Sequence, residues 1–219
     1  RIRSRGLGDV YKRQVLTTFL EGVGLTEEDI VIRVSSRKVL EEVLGALGIT
    51  GDLFAKTCII VDKIDKLSPE VIDEQLTELG HDSKVISTIQ STLGLKNLNS
   101  LKKVLKLDSA ALSELTQLFE AIDAYGISNW VEFDASIVRG LAYYTGSVFE
   151  VNDRKGKFRA ICGGGRYDKL LSTLGGKDLP ATGFGFGDMV IMELLKDKGL
   201  IPHLLSLIHI SEPTRPNTI

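Results

Sequence analysis

SVFEVNDRKGKFRAICGGGRYD, residues Ser147–Asp168, decides the fold class. Two apolar, β-branched runs, Ser147–Val151 and Phe158–Cys162, flank a polar segment, Asn152–Lys157, that carries Gly156. That is the pattern of an antiparallel hairpin. Three glycines follow, and Tyr167–Leu174 then has helical spacing. Downstream, Pro180–Phe186 returns to strand, and Met189–Lys198 reads as a helix closed by Gly199. Upstream, Val131–Phe133 is a further short strand. Strands and helices in this order do not repeat as βαβ units, so the expected class is α+β, with a largely antiparallel sheet and flanking helices.

Nearer the start of the chain, Ile30–Val34 (IVIRV) reads as a strand. Ser35 or Ser36 is placed to cap a helix over Arg37–Leu47, whose Val39, Leu40, Val43, Leu44 and Leu47 share one face. Val15–Gly22 reads as the end of an earlier helix. The character changes between these parts. Phe54–Ile64, Pro69–Leu79, Val85–Leu93, Leu98–Leu105 and Ala110–Tyr125 all have helical periodicity, and Ser68-Pro69-Glu70 is a helix entry. The expectation is a helical insertion over 50–126 that divides a core into 15–49 and 127–204. Lys102, Lys103 and Lys106 on it form either a nucleic-acid contact or a solvated face.

The two ends are expected to be extraneous. Ser4–Gln14 (SRGLGDVYKRQ) and Leu205–Arg215 (LSLIHISEPTR) can be encoded by exact reverse complements, which resemble a transposon adapter. On that reading residues 1–14 and 205–219 are translated adapter and are left out of the fold reading, and the natural N-terminus with any targeting segment is missing. Removing their six basic and two acidic residues takes the net charge from −2 to −6. An acidic balance argues against a self-sufficient nucleic-acid-binding domain. Cys58 and Cys162 stand alone without a CxxC, against a disulfide framework or structural zinc, and no apolar run is long enough to span a membrane. His81 and His203 read as surface histidines.

Three stretches are able to carry chemistry. RGLAYYTG (Arg139–Gly146) combines a fixed cation suited to carboxylate or phosphate with two flat, hydroxyl-tipped rings; a plain turn has the same composition. CGGGRYD (Cys162–Asp168) removes side chains between a strand and a helix. It reads either as an N–H cradle for an anion, with Arg166 and Asp168 paired, or as a flexible bend. GFGFG (Gly183–Gly187) leaves one strand face bare, for a flat ring or for another backbone.

RGLAYYTG, VFE, GGGRYD and the GFGFG strand, in this order, resemble the histidyl-tRNA synthetases, over essentially Val15–Leu204. The resemblance implies a class II synthetase-like antiparallel sheet with a helical insertion. It implies activation of L-histidine with ATP and Mg2+ as the substrate complex, without a tightly bound cofactor or protein-bound metal, and transfer to tRNA(His). Arg139 would contact the histidine carboxylate and the α-phosphate as the catalytic cation. Tyr143 and Tyr144 would line the imidazole pocket. Gly163, Gly164 and Gly165 would shape its floor, and Gly185 and Gly187 would border the adenylate. A homodimer working in the cytoplasm or an organelle, and no membrane partner, also follow from the resemblance.

The sequence departs from that pattern twice. Ala142 stands where the family has an acid, and Val190 stands where the third class motif has an arginine that stacks on adenine. Both also suit a non-catalytic paralogue of the kind that regulates ATP phosphoribosyltransferase. The first two class motifs and the anticodon-binding domain are missing from this stretch, so the chain alone is expected to be inactive.

Overall fold

The computed structural model describes residues 3–64, 67–105, 109–140 and 143–201. Ala142, Lys106, His203 and the 205–219 tail lie outside the described residues. The fold is α+β. Strands β1 (Ile30–Ser36), β2 (Val131–Phe133), β3 (Ser147–Asp153), β4 (Cys162–Arg166) and β5 (Thr182–Phe186) form one sheet in the order β2-β1-β3-β4-β5. The β1–β2 pair is parallel and the other three are antiparallel.

Period-two alternation gives the sheet two chemically different faces. On one, Ile30, Ile32 and Val34 of β1 and Phe149 and Val151 of β3 are fully buried. They pack with helix α1 (Arg3–Gly22), α6 (Leu98–Val104), α7 (Ala110–Ala124) and α9 (Asp188–Asp197). On the other lie Arg33, Glu150 and Asn152 and most of the glycines, with Val31 and Val148 as buried apolar exceptions, so this face closes on a hydrophobic layer only in part.

The helical stretch expected as one insertion is divided between two cores. Helices α3 (Gly51–Val61), α4 (Pro69–Glu78) and α5 (Ser83–Leu93) share a separate apolar cluster with Leu40 and Leu44 of α2 (Arg37–Gly45) and with Val138. Leu101 of α6 and Leu112, Leu115, Leu118 and Ile122 of α7 instead join the main core against the sheet. Ser36 caps α2, accepting from the Lys38 amide. No helix among the described residues is long and apolar enough to cross a membrane.

Three expectations are corrected. Residues 3–14, read as translated adapter, are helical and continue α1, which leaves that reading of their origin as it was. Asp9, Val10 and Arg13 are buried, Asp9 pairs with Arg166 at 2.7 Å, and Arg13 lies over the Phe149 ring. Arg13 Nε and Nη2 have no hydrogen-bond partner, and burial pulls its pKa down to about 10, so the segment fits by shape better than by chemistry. The strand expected at Phe158–Cys162 lies four residues later and runs through the glycine triplet. The helix expected over Tyr167–Leu174 shrinks to α8 (Leu170–Thr173). His81 is buried, not a surface residue.

His81 ties α3 to the α4–α5 turn. The Thr57 hydroxyl donates to Leu53 O, so its oxygen is left to accept from His81 Nε2 at 2.7 Å. Burial lowers the imidazole's pKa, with Asp82 partly opposing. A depressed folded-state pKa means that the unfolded chain takes up the proton first. The stability contribution is therefore present above the ordinary value, about 6.5, and is lost as pH falls through the folded value. Circular dichroism is expected to show the melting temperature falling as pH is lowered from about 7.5 to about 5. His81→Gln is expected to flatten that slope; an identical slope in the variant refutes the assignment.

Candidate functional site

The polar face is organised by register. Arg33 on β1 is directly opposite Glu150 on β3, Glu150 opposite Gly163 on β4, and Gly163 opposite Gly185 on β5. Directly paired residues project to the same side. This row therefore runs from two charges to a strip with no side chains. Its neighbours are Ser35, Val148, Gly165 and Gly183. A Cβ at Gly185 would meet nothing within 4 Å, so the bare face expected there is open.

Residues 134–140 and 143–146 lie over this face, and the first and last of them are pinned. Asp134, buried, accepts from Lys96 Nζ at 2.6 Å and from the Ser136 amide and hydroxyl, with Arg33 at 3.8 Å. Burial pushes its carboxyl up, but Lys96 and Ser136 outweigh this and hold it below the usual range. At the far end, the Thr145 amide donates to Arg166 O and the Arg37 amide to Gly146 O. Arg139 itself has φ +56°, the only positive φ at a non-glycine among the described residues, a conformation that costs about 1 kcal/mol or more. At Gly140, a Cβ would come 3.0 Å from Asp62 Oδ2 at the end of α3. The helical insertion thus reaches the site through one carboxylate.

The strained backbone delivers the Arg139 guanidinium to β4. Nη1 donates to Glu150 Oε1 at 2.6 Å, and a Cβ on Gly163 would stand 2.6 Å from the same nitrogen. Burial lowers the Arg139 pKa, and the Glu150 carboxylate more than offsets this, so the group stays cationic. Tyr144 is buried beside Gly165, its ring 4.6 Å from Tyr143 and 6.3 Å from Tyr167. Burial and its neighbour Tyr143 push the Tyr144 phenol up to about 12, with Arg139 opposing, so it remains a neutral O–H at physiological pH. The arginine, the paired tyrosines and the glycine strands are brought to one side of the sheet. Burial raises the Cys162 thiol to about 12, so it is no nucleophile.

Two glycine readings change. Gly163–Gly165 are an interior strand whose amides face β3 and β5, so they form no free N–H cradle; their function is close approach. Gly187 is not on the bare strand but caps α9, its amide donating to Ile161 O at 2.8 Å. Arg166 does pair with Asp168, at 3.1 Å, though Asp9 is its nearer partner. Sequence reasoning passed over Glu150, Asp62, Asp134 and Tyr167. For Glu150 and Arg33 the signal was a lone charge inside an apolar strand. Asp62 ends a helix 77 residues before Arg139, with no local signal.

A cavity of about 750 Å³ opens over this face, lined among others by Arg33, Asp62, Arg139, Glu150, Arg159 and Val190. Among the described residues no cluster of three His, Cys, Asp or Glu is placed to hold a metal.

The family model described as histidyl-tRNA synthetase matches residues 9–188. The chain belongs to the histidyl-tRNA synthetase family. It is 51% identical over 189 residues to the chloroplastic/mitochondrial histidine–tRNA ligase of Arabidopsis thaliana, covering 86% of this chain and 39% of that protein. It is 40% identical to the histidine–tRNA ligase of Opitutus terrae, over 86% of this chain and 44% of that one. The crystal structure of histidyl-tRNA synthetase from Nostoc sp. PCC 7120 superposes with a TM-score of 0.76 at 26% identity, over 90% of this chain and 48% of that one. The chain therefore spans less than half the length of these synthetases, and its fold is that of class II. The family match begins at Asp9, inside the segment set aside as extraneous.

The glycine triplet yields a paired prediction. At Gly164, on the core face, a Cβ would lie 2.1 Å from Gly183 O, so backbone must move; at Gly163 it meets only the movable Arg139 tip. Urea titration is expected to place Gly164→Ala about 3 kcal/mol below the parent, and Gly163→Ala within about 1 kcal/mol of it. Equal losses would mean that the guanidinium does not lie over Gly163.

Proposed function

We propose that this chain is the histidine-site part of a histidine–tRNA ligase, with a core over 15–49 and 127–204 interrupted by the insertion at 50–126. The parent enzyme joins L-histidine to tRNA(His) through histidyl-adenylate, with ATP and Mg2+ as the substrate complex. A carboxylate oxygen of histidine attacks the α-phosphorus and pyrophosphate leaves. A terminal hydroxyl of the tRNA then attacks the activated carbonyl and AMP leaves. As in the family, the complete protein works as a homodimer, in the cytoplasm or an organelle.

The single observation that carries this reading is the Arg139 guanidinium over Gly163, on the same side of the sheet as Tyr144 and Gly165. Its Nη1 is committed to Glu150, which leaves its other donors for the histidine carboxylate and the α-phosphate. Because the charge is permanent and already oriented, it stabilises the crowded, more negative phosphorus centre of the transition state without reorganising. Tyr143 and Tyr144 supply ring surfaces and neutral hydroxyls to the imidazole. Gly163, Gly164 and Gly165 shape the floor by keeping the strand free of side chains, and Gly185 and Gly187 border the adenylate.

Calorimetry tests the reading. L-histidine is expected to bind the chain, Arg139→Ala to abolish binding, and Arg139→Lys to recover little, because an ammonium cannot reproduce a bidentate fork. Binding that survives Arg139→Ala, or no binding by the parent, overturns it. Histidine-dependent ATP–pyrophosphate exchange is expected in the complete ligase and not in this chain, which spans 39% of its Arabidopsis relative.

A further inference from the structure

The cavity over the polar face holds three guanidinium groups, and they differ in what they touch. Arg139 is spent partly on Glu150, and Arg33 lies 3.8 Å from Asp134. Arg159 is exposed and makes no hydrogen bond, ion pair or ring contact among the described residues. The carboxylates of the cavity do not claim it either. Asp153 accepts from the Lys157 and Phe158 amides, Glu150 holds Arg139, and Asp62 sits against Gly140. A guanidinium without a counter-ion among the described residues, lining the same cavity as two other arginines, raises the local potential for a polyanion.

Its position is set by the fold. Arg159 precedes β4, on the same chain segment as the Gly163 beneath Arg139. Four residues span at most about 13 Å, within the combined reach of two arginine side chains and a triphosphate between them. The Gly187 amide bonds Ile161 O, which holds the start of α9 beside this segment. Val190, on the first turns of α9, lines the same cavity and brings no charge to it. Arg159 thus lines the cavity together with Arg139 and Val190.

We propose that Arg159 is a nucleotide-binding residue that takes the β- and γ-phosphates of ATP, while Arg139 takes the α-phosphate. That the triphosphate is ATP rests on the ligase reading; that the cavity binds a polyphosphate rests on the arrangement of charges. The division explains how the chain manages with Val190 at the third-motif position. The missing cation is supplied from the preceding strand's approach segment and acts on the phosphate tail, not on the base.

Calorimetric titrations of the 219-residue chain with Mg-ATP, AMP and L-histidine test this. ATP is expected to bind more tightly than AMP. Arg159→Ala is expected to weaken ATP roughly tenfold, the loss of one charge-assisted contact, while AMP and histidine change less than about twofold. Arg159→Lys is expected to recover part of the ATP affinity. Because Arg159 has no partner to lose, the melting temperature of Arg159→Ala should match the parent. The proposal is overturned if ATP binding is unchanged in Arg159→Ala, if ATP and AMP weaken alike, or if the parent chain does not bind ATP. Absence of histidine binding alongside the expected ATP pattern would refute the ligase reading and leave the Arg159 assignment standing.

Discussion

A largely buried ion pair, Arg139 with Glu150, is the constraint on which the rest of the polar face depends. Each side chain is about three-quarters buried. Taking either charge out of water alone would be costly, so the pair persists only because both partners are delivered together. Glu150 is held by strand register and Arg139 by a left-handed backbone that a glycine and two anchored loop ends sustain. Gly163 completes the arrangement by having no side chain where the guanidinium must lie. Apolar side chains cover this face only around Val148, and a cavity opens over the charged part.

The same constraint joins the insertion to the core. Helices α3–α5 have their own apolar cluster, but Asp62 at the end of α3 meets Gly140, and Val138 of the loop packs into that cluster. A displacement of the helical module would therefore be felt at Arg139 first. Helices α6 and α7 answer to the sheet's core instead, so the insertion is anchored on two sides of the loop that carries the arginine.

Much of this was legible in residue order. The hairpin around Gly156, the strand at Ile30, the Ser36 cap and the helix starts follow from local propensity and spacing, and the motif set gave the family. The glycine triplet was misread because glycine punctuates turns far more often than it fills an interior strand. Here it is a strand because bulky neighbours, Phe149 on one side and Phe184 on the other, cover what the glycines lack. Residues 3–14 are helical whatever their origin. An origin argued from codons says nothing about whether a peptide can continue a helix along an apolar groove.

Local sequence determined which segments alternate, which are amphipathic and which residue types are able to bind an anionic, aromatic ligand. Tertiary structure alone decided that Arg33, Glu150, Gly163 and Gly185 stand in one row, and that Asp62 and Arg159 border the same cavity. The reason is register. Side chains on a strand alternate with period two, so a slip of one residue sends every one of them to the other face. For β1 and β3 that choice is made by pairing between segments more than a hundred residues apart, and no short window of sequence contains it.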